Sequence, residues 1–314
     1  MSVHGDLSQS NPHRDTVLTV GVFDGVHLGH RHLLEQVKSE ARKHNLLAGV
    51  VTFYNHPLTV LRPDTKIVYI CSVEERLQLL KETGVDLVVP IRFDLPLSFL
   101  KAREFVSLLQ KYLGMKGLVM GPDFAMGHQR EGDVQVLTTL GNEMGFTVHV
   151  VPHLALGNLS VSSTIIKGTL VEGDVVTVSK LLGRNFALTG RVRSGEGRGR
   201  QLGFPTANLE VPSERAIPGD GIYATWAYIN GTRRESATSI GVRPTFGPGE
   251  RTVEAYILDF QGDLYDQDIR LEFARRLRGE LAFNSIEALR EQIAIDVSQT
   301  RRILREVDRR VSKQ

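Results

Sequence analysis

Two histidines and three glycines lie close together near the start of the sequence, in the segment GVFDGVHLGH at residues 21–30. An apolar β-branched run leads into this segment and predicts a strand, and the amphipathic residues 28–44 predict a helix. The start of a helix presents free backbone N–H groups that attract phosphate oxygens, and glycine lets the backbone approach a bulky ligand. We therefore predict a phosphate-binding site that uses Gly21, Gly25 and Gly29.

His27 and His30 are the side chains of this segment that could act chemically. An imidazole can donate a hydrogen bond to a phosphate chain and can stabilise the charge that develops at a phosphorus atom under attack. The alternative is that both residues only cap the helix or lie on the surface. Two histidines that bracket a glycine directly after a strand favour the catalytic interpretation.

A basic, glycine-rich stretch, TGRVRSGEGRGRQLGFPTAN, occupies residues 189–208. Gly195, Gly197 and Gly199 free the backbone to curl around phosphates, and Arg198 and Arg200 add positive charge. From composition alone, a flexible linker or an RNA-binding Arg-Gly patch explains the stretch equally well.

Glu254 interrupts an otherwise apolar run, TVEAYILDF, at residues 252–260. A carboxylate on a rigid strand that points into a cavity can accept a proton. The alternative is a solvent-facing residue on a half-exposed strand, and the run by itself leaves both open.

Alternating elements predict an α/β fold for the first part of the chain. Predicted strands at residues 17–22, 48–52, 87–90, 117–120 and 147–151 alternate with predicted helices at 28–44, 73–83, 97–113 and 134–144. This rhythm predicts a Rossmann-like parallel sheet wrapped by helices, with ligands at the carboxyl ends of the strands.

After about residue 182 the pattern changes to runs that suit an antiparallel β-barrel, followed by a terminal helix at 285–311. The runs lie at residues 186–192, 221–229, 234–240, 253–260 and 269–273, and Asn230 with Gly231 marks a hairpin turn. We predict two domains, residues 1–180 and 181–314, joined by a helix at 174–182.

Composition excludes several classes of protein. The 314 residues carry a formal charge of only +2, which argues against a dedicated nucleic-acid binder. The one cysteine, Cys71, cannot form an intramolecular disulfide, and no Cys/His metal-ligand set surrounds it, so a reducing cytoplasm fits best. We expect no membrane span, because no stretch approaches the roughly 18 apolar residues that a span needs, and no targeting segment, because residues 1–15 are polar.

The segment at 21–30 resembles the H-x-G-H signature of nucleotidyltransferases. In its longer form, GxFDGxHxGH, it resembles the adenylyltransferase module of bacterial bifunctional riboflavin kinase/FAD synthetases, which adds Phe23 to the ATP-binding residues. TFYNHP at 52–57 is similar to the family's T-F-x-P-x-P, with Asn55 in place of the first proline and His56 only a weak candidate.

Two more segments resemble that module. GPDFAMG at 121–127, followed by Arg130, Gly132 and Asp133, implies that Asp123 and Phe124 contact ATP and that Phe124 also contacts the flavin. Core packing is the alternative for Phe124. VSSTIIK at 161–167 is similar to S-S-T-x-I-R, which implies phosphate contacts by Ser163, Thr164 and Lys167, with lysine in place of the usual arginine.

The later motifs resemble riboflavin kinases. GFPTAN at 203–208 implies that Thr206 and Asn208 ligate Mg²⁺ beside ATP, and VEAYILDF at 253–260 implies that Glu254 is the catalytic base. SIGVRPTF at 239–246 implies that Arg243 supports flavin binding.

The resemblance implies a bifunctional transferase that uses ATP and Mg²⁺. It would phosphorylate riboflavin to FMN and then adenylylate FMN to FAD, releasing pyrophosphate, with no nucleic-acid or membrane partner and with an oligomeric state that the sequence does not predict. One alternative is that one half is inactive, and the departures at Asn55 and Lys167 point to the N-terminal half. The other is an RNA-linked nucleotidyltransferase, against which the low net charge and the GFPTAN run argue.

Overall fold

The fold is described from a computed structural model that covers residues 3–157, 159–195, 199, 202–242 and 251–311. Its contacts divide the chain between Ser163 and Thr164, and the two units are described separately. The division by contacts assigns the helices between residues 164 and 182 to the C-terminal unit, whereas the predicted domain boundary lies near Lys180.

The N-terminal unit contains a five-stranded parallel sheet in the order β3-β2-β1-β4-β5. Two of its three inner strands, β1 and β2, are buried along their whole length, as expected where helices cover both faces. The strands are β1 Thr16–Val20, β2 Leu47–Phe53, β3 Leu87–Ile91, β4 Met115–Met120 and β5 Thr147–Val150. The predicted parallel sheet is confirmed.

Seven α-helices lie in the described part of this unit: α1 Val3–Ser8, α2 Leu28–Lys43, α3 Pro57–Leu61, α4 Val73–Glu82, α5 Leu95–Phe99, α6 Ala102–Leu113 and α7 Val134–Met144. The single helix predicted over residues 97–113 is wrong in extent. The backbone is extended at Leu100, and the Glu104 carboxylate then accepts a hydrogen bond from the Lys101 amide at 2.7 Å, which starts a new helix.

The order of the strands creates a crevice. From β1 the chain moves outward to β2 and β3, and it then returns to the other side of β1 for β4 and β5. The loops that follow β1 and β4 therefore leave neighbouring strands in opposite directions. This switch point is where open α/β sheets bind ligands.

The C-terminal unit is built on a closed six-stranded antiparallel barrel in the order β10-β11-β12-β9-β8-β13. Before the barrel come the short pair β6 Ala155–Leu156 and β7 Leu159–Ser160, which belongs to the N-terminal unit, and the helices α8 Ser163–Val171 and α9 Val175–Leu182. The barrel strands are β8 Phe186–Arg193, β9 Thr206–Glu210, β10 Gly221–Ile229, β11 Thr232–Val242, β12 Arg251–Ile257 and β13 Asp268–Arg278.

A long helix, α10 Ile286–Val311, packs outside the barrel against β10, β11 and β13. An ion pair joins it to β13, because the Arg278 guanidinium contacts the buried Asp296 carboxylate with an Nη2–Oδ2 distance of 2.7 Å. The predicted barrel and terminal helix are confirmed. β9 was not predicted, and the strand predicted at 253–260 ends at Ile257. No helix in the described ranges has the length and apolarity needed to cross a membrane.

Candidate functional site

Residues 21–27, here called the histidine loop, connect β1 to α2 at the switch point of the sheet. Three of them adopt left-handed backbone conformations, with φ of 54° at Phe23, 80° at Gly25 and 39° at Val26. Such conformations cost a non-glycine residue about 1 kcal/mol or more and persist only where the surroundings impose them. The loop is therefore held in a specific shape.

Residues 70–76, here called the support segment, impose much of that shape. The Asp24 carboxylate accepts hydrogen bonds from the amides of Ile70 and Cys71 at 2.9 and 3.4 Å, and the Gly25 amide donates to Cys71 Sγ at 3.1 Å. A Cβ at Gly25 would lie 2.8 Å from Ile70 Cγ2 at a positive φ, so this position requires glycine. On the other side, the Ser163 hydroxyl donates to the Asp24 carbonyl at 3.0 Å.

The two imidazoles of the site stack on each other. Their ring centroids are 3.6 Å apart with an interplanar angle of 16°, and Phe23 contacts the His30 ring edge-on. His27 also caps α2, since its Nδ1 accepts the His30 amide at 3.2 Å. That bond places the proton of neutral His27 on Nε2.

His30 is an uncharged imidazole at neutral pH. Burial lowers its pKa well below the usual value, and the neighbouring His27 and Arg76 lower it further, because a proton on His30 would be repelled by a charge on either of them. Its Nδ1 is buried, and no hydrogen-bond partner for this atom occurs among the described residues.

The low pKa of His30 predicts a pH-dependent stability. Below about pH 6.5 the unfolded chain takes up a proton on His30 that the folded chain excludes, so the free energy of unfolding should fall as the pH falls through that range. Urea midpoints measured from pH 7.5 to about 5.5 should therefore fall less steeply in His30→Gln than in the parent protein. His44→Gln, at the exposed C-cap of the same helix, is the control. Equal slopes in the parent and His30→Gln would contradict the assigned pKa.

The loops after β2 and β3 are joined by Asn55, which stands where the family has a proline. Its amide donates to the Phe93 carbonyl at 2.9 Å and accepts from the Phe93 amide at 3.0 Å. His56 caps α3, with Nδ1 accepting the Leu58 amide at 3.1 Å. Both residues have local structural roles in this loop.

The loop after β4 places Asp123 at the same edge of the sheet as the histidine loop, because β4 pairs with β1. The exposed Asp123 carboxylate lies 2.7 Å from Nε2 of His153, which follows β5. Phe124 is partly buried and packs against the core of the unit. His153 lies in no recognised motif and was missed by sequence reasoning.

The segment at residues 161–167, for which phosphate contacts are predicted, leads into α8. Ser163 opens this helix and contacts the histidine loop through Asp24. Thr164 and Lys167 follow on the same helix within the C-terminal unit. The N-terminal unit thus brings together Gly21, Phe23, Gly25, His27, Gly29, His30 and Ser163.

In the C-terminal unit, two paired strands present oxygen-bearing side chains on one face. Glu254 on β12 pairs in register with Asn208 on β9, and the Thr206 hydroxyl donates to the Glu254 carboxylate at 3.3 Å. The intervening Ala207 and Ala255 are buried, so the polar residues share the opposite face of the barrel wall.

A cavity of about 320 Å³ lies between that polar face and α10. Thr206, Glu254 and Tyr256 line it from the barrel, and Ile293 and Val297 line it from α10. Apolar walls with a few convergent polar groups are typical of sites for small organic ligands. Glu254 thus faces a cavity, as the catalytic interpretation of this residue requires.

The glycines of the basic stretch allow close backbone approach to the polar face. A Cβ at Gly195 would overlap the Asn208 amide, and one at Gly199 would lie 3.3 Å from Thr206 Oγ1. A second cavity of about 470 Å³, lined by Pro205, Thr206 and Phe260 among others, shares Thr206 with the first. The predicted site residues Gly197, Arg198, Arg200 and Arg243 lie outside the described residues.

The fold and the two sites define a class of protein. A parallel sheet with an H-x-G-H loop at its switch point is the arrangement of a nucleotidyltransferase, and a barrel that carries GFPTAN beside a carboxylate-lined cavity suits a kinase of small molecules.

Comparisons with known proteins agree with both halves of this class. A family model described as FAD synthetase matches residues 9–165, and one described as riboflavin kinase matches residues 182–304. The bifunctional riboflavin kinase/FMN adenylyltransferase of Escherichia coli (strain K12) is 38% identical over 294 residues, 93% of each chain. That of Listeria monocytogenes is 34% identical over 287 residues, 91% of each chain. The chain belongs to the family of bifunctional riboflavin kinase/FMN adenylyltransferases.

A solved structure shares the same fold. A Streptococcus pneumoniae protein described as a macrolide-efflux protein matches with a TM-score of 0.86 and 30% identity, over 94% of this chain and 96% of its own. The two chains share a fold, and we draw nothing about efflux from that protein's name.

Proposed function

We propose that the C-terminal unit transfers the γ-phosphoryl group of ATP to riboflavin, giving FMN, and that the N-terminal unit transfers AMP from a second ATP to FMN, giving FAD and pyrophosphate. The main support for this proposal is that each unit brings together residues that its reaction would need. The histidine loop lies at the switch point of the sheet, and the Thr206–Glu254 pair lies at the cavity beneath α10.

In the adenylylation step, a phosphate oxygen of FMN attacks the α-phosphorus of ATP, and the bond to the β-phosphate breaks. An attacking phosphate needs no general base, so the work of the protein is to position the reactants and stabilise charge. We assign hydrogen-bond donation at the α-phosphate to His30 and His27. The start of α2 attracts the phosphate chain. Further ATP contacts are proposed for the residues Gly21, Phe23, Gly25, Gly29, Asp123, Phe124, Ser163, Thr164 and Lys167.

In the kinase step, the terminal ribityl hydroxyl of riboflavin attacks the γ-phosphorus of ATP, and ADP leaves. Glu254 accepts the hydroxyl proton, because its carboxylate lies on the polar face beside Thr206 and also lines the cavity. The flavin ring fits the apolar cavity beneath α10, and ATP fits the second cavity, with Thr206 at their junction. Arg243 is proposed to support the flavin.

The polar face of β9 fits Mg²⁺. The Thr206 hydroxyl and the Asn208 amide oxygen are hard donors two residues apart on one strand, the kind of small oxygen set that Mg²⁺ accepts beside phosphates. When bound there, Mg²⁺ would neutralise charge on the ATP phosphates. The glycines 195, 197 and 199, with Arg198 and Arg200, are proposed to follow those phosphates.

We also propose that residues 1–180 and 181–314 form separable domains, each with its own reaction, and that the protein works in the cytoplasm, where its one cysteine stays reduced.

The direct test is to incubate the protein with riboflavin, ATP and Mg²⁺ and to follow the flavins by chromatography. We expect FMN to appear first and FAD to follow. Accumulation of FMN alone, with supplied FMN also left unconverted, would remove the adenylylation half of the proposal. Absence of FMN formation would remove the kinase half.

Replacing Thr206 with alanine should weaken the use of Mg²⁺ by the kinase. One oxygen ligand is lost, so the Mg²⁺ concentration that gives half-maximal FMN formation should rise by about tenfold or more. Conversion of supplied FMN to FAD should not change. Thr189→Ala, an exposed threonine on β8, is the control. An unchanged Mg²⁺ dependence in Thr206→Ala would remove this residue from the metal site.

A further inference from the structure

Arg76 on α4 is a cationic side chain almost completely enclosed by protein. It is 1% exposed and stands among the largest fully buried side chains of the described residues. Burying a charge costs several kcal/mol unless nearby groups compensate for it. Such a residue is therefore expected to have a specific task.

The hydrogen bonds of Arg76 lead to the end of β2. Its Nη2 donates to the carbonyl of Phe53, the last residue of that strand. Its Nε has no hydrogen-bond partner, and the side chain makes no ion pair, within the part of the chain that the structure describes. Phe53 immediately precedes the turn at residues 54–57, and both belong to the segment 52–57 that resembles the family's T-F-x-P-x-P motif. Arg76 thus fixes the backbone at the start of this turn.

The support segment, to which Arg76 belongs, also binds the histidine loop. Ile70 and Cys71 bind Asp24 and Gly25 through the hydrogen bonds described above. Ser72 then caps α4 in a capping box with Glu75, which fixes the first turn of the helix. Arg76 follows directly and donates its backbone amide to the Ser72 carbonyl at 2.9 Å. The support segment therefore connects the histidine loop to the end of β2.

The charges around Arg76 are consistent with this position. Burial lowers the pKa of Arg76, while Cys71 and Asp24 raise it, and a guanidinium stays protonated in proteins. Its positive charge in turn contributes to the low pKa of His30. Arg76 therefore lies close enough to both Asp24 and His30 to influence the site electrostatically.

We propose that Arg76 is a positioning residue of the adenylylation site: its buried guanidinium fixes the end of β2 before the turn at residues 54–57, and its place in the support segment ties that turn to the histidine loop. The proposal rests on the adenylylation function proposed above. Arg76 does not touch the nucleotide in this role. It acts through His30 and through the backbone of β2.

The test compares Arg76→Met and Arg76→Lys with the parent protein. Arg76→Met removes the charge and the hydrogen bond, so kcat for conversion of FMN to FAD should fall by about 100-fold, the scale expected when reacting groups are misplaced by roughly 1 Å. The KM for ATP should change much less. Arg76→Lys keeps the charge and one possible hydrogen bond, so it should recover part of the rate.

NMR titration of the His30 imidazole gives a second readout, which responds to the charge at residue 76. We expect its pKa to rise towards the ordinary value of about 6.5 in Arg76→Met and to stay near the parent value in Arg76→Lys. Lys81→Met, at an exposed site on the same helix, is the control for loss of a cation. Riboflavin phosphorylation in the same samples reports on the C-terminal unit and should stay at the parent rate.

Parent-like FAD formation by Arg76→Met would overturn the proposal, and so would equal losses in both variants with His30 titrating as in the parent. If Arg76→Met does not fold, as judged by circular dichroism, the proposal is tested on Arg76→Lys alone. An intermediate rate with a parent-like His30 titration supports the proposal, and a parent rate overturns it. If the parent protein makes no FAD, the proposed function fails instead, and the His30 titrations still test the placement of Arg76.

Discussion

Replacing His30 with alanine should slow adenylylation of FMN by about 100-fold or more, which corresponds to roughly 2.7 kcal/mol of transition-state stabilisation. The imidazole of His30 stacks on that of His27 at the start of α2, which holds both rings in place. A rigid, preorganised donor of this kind stabilises developing charge more effectively than water does. The loss should appear mainly in kcat, because the interaction strengthens in the transition state.

Two controls separate catalysis from folding in that experiment. His44→Ala changes an exposed histidine at the other end of α2 and should leave both reactions unchanged. Riboflavin kinase activity of His30→Ala should match that of the parent, whereas a general folding defect would reduce both activities. Conversion of FMN to FAD at the parent rate by folded His30→Ala would show that the catalytic role assigned to this residue is wrong.

Replacing Glu254 with glutamine should reduce riboflavin phosphorylation by about 100-fold or more, since general-base catalysis contributes 10²–10⁴-fold. Glutamine keeps the volume of the side chain and can still accept the hydrogen bond from Thr206, but it cannot take the proton of the attacking hydroxyl. Stopped assays with riboflavin, ATP and Mg²⁺ measure this directly. Adenylylation of supplied FMN should continue at the parent rate.

Glu210→Gln is the matched control for the kinase experiment. Glu210 is an exposed carboxylate on β9 that pairs with Arg193 at the surface, and such pairs contribute little to stability. We expect this variant to phosphorylate riboflavin normally. If Glu254→Gln behaves in the same way, Glu254 is a half-exposed strand residue without a catalytic task.

Sequence patterns predicted the parts of the fold that depend on local order. Hydrophobic periodicity predicts the strand before His27 and the helix after it. The placement of both histidines at a helix start could therefore be predicted. The break between α5 and α6 could not, because it depends on a local hydrogen bond between Glu104 and the Lys101 amide within a continuous amphipathic pattern.

Features that depend on distant parts of the chain were missed. Arg76 has the position of an ordinary charged residue on an amphipathic helix, and only the folded chain brings it beneath Phe53 and buries it. His153 meets Asp123 because β4 and β5 are neighbours in the sheet, which no local pattern records. The cavity that Glu254 faces exists because α10 folds back over the barrel.

Side chains alternate between the two faces of β9, so the proposed kinase site should be sensitive to the insertion or deletion of a single residue. Thr206 and Asn208 lie on one face of the strand, and the buried Ala207 and Leu209 lie on the other. Inserting or deleting one residue just before this strand would exchange the two faces, unless the pairing with β12 shifted to compensate. The polar oxygens would then enter the core and two apolar side chains would meet the phosphates. Length changes in the glycine-rich stretch should therefore be tolerated only where they leave this register intact.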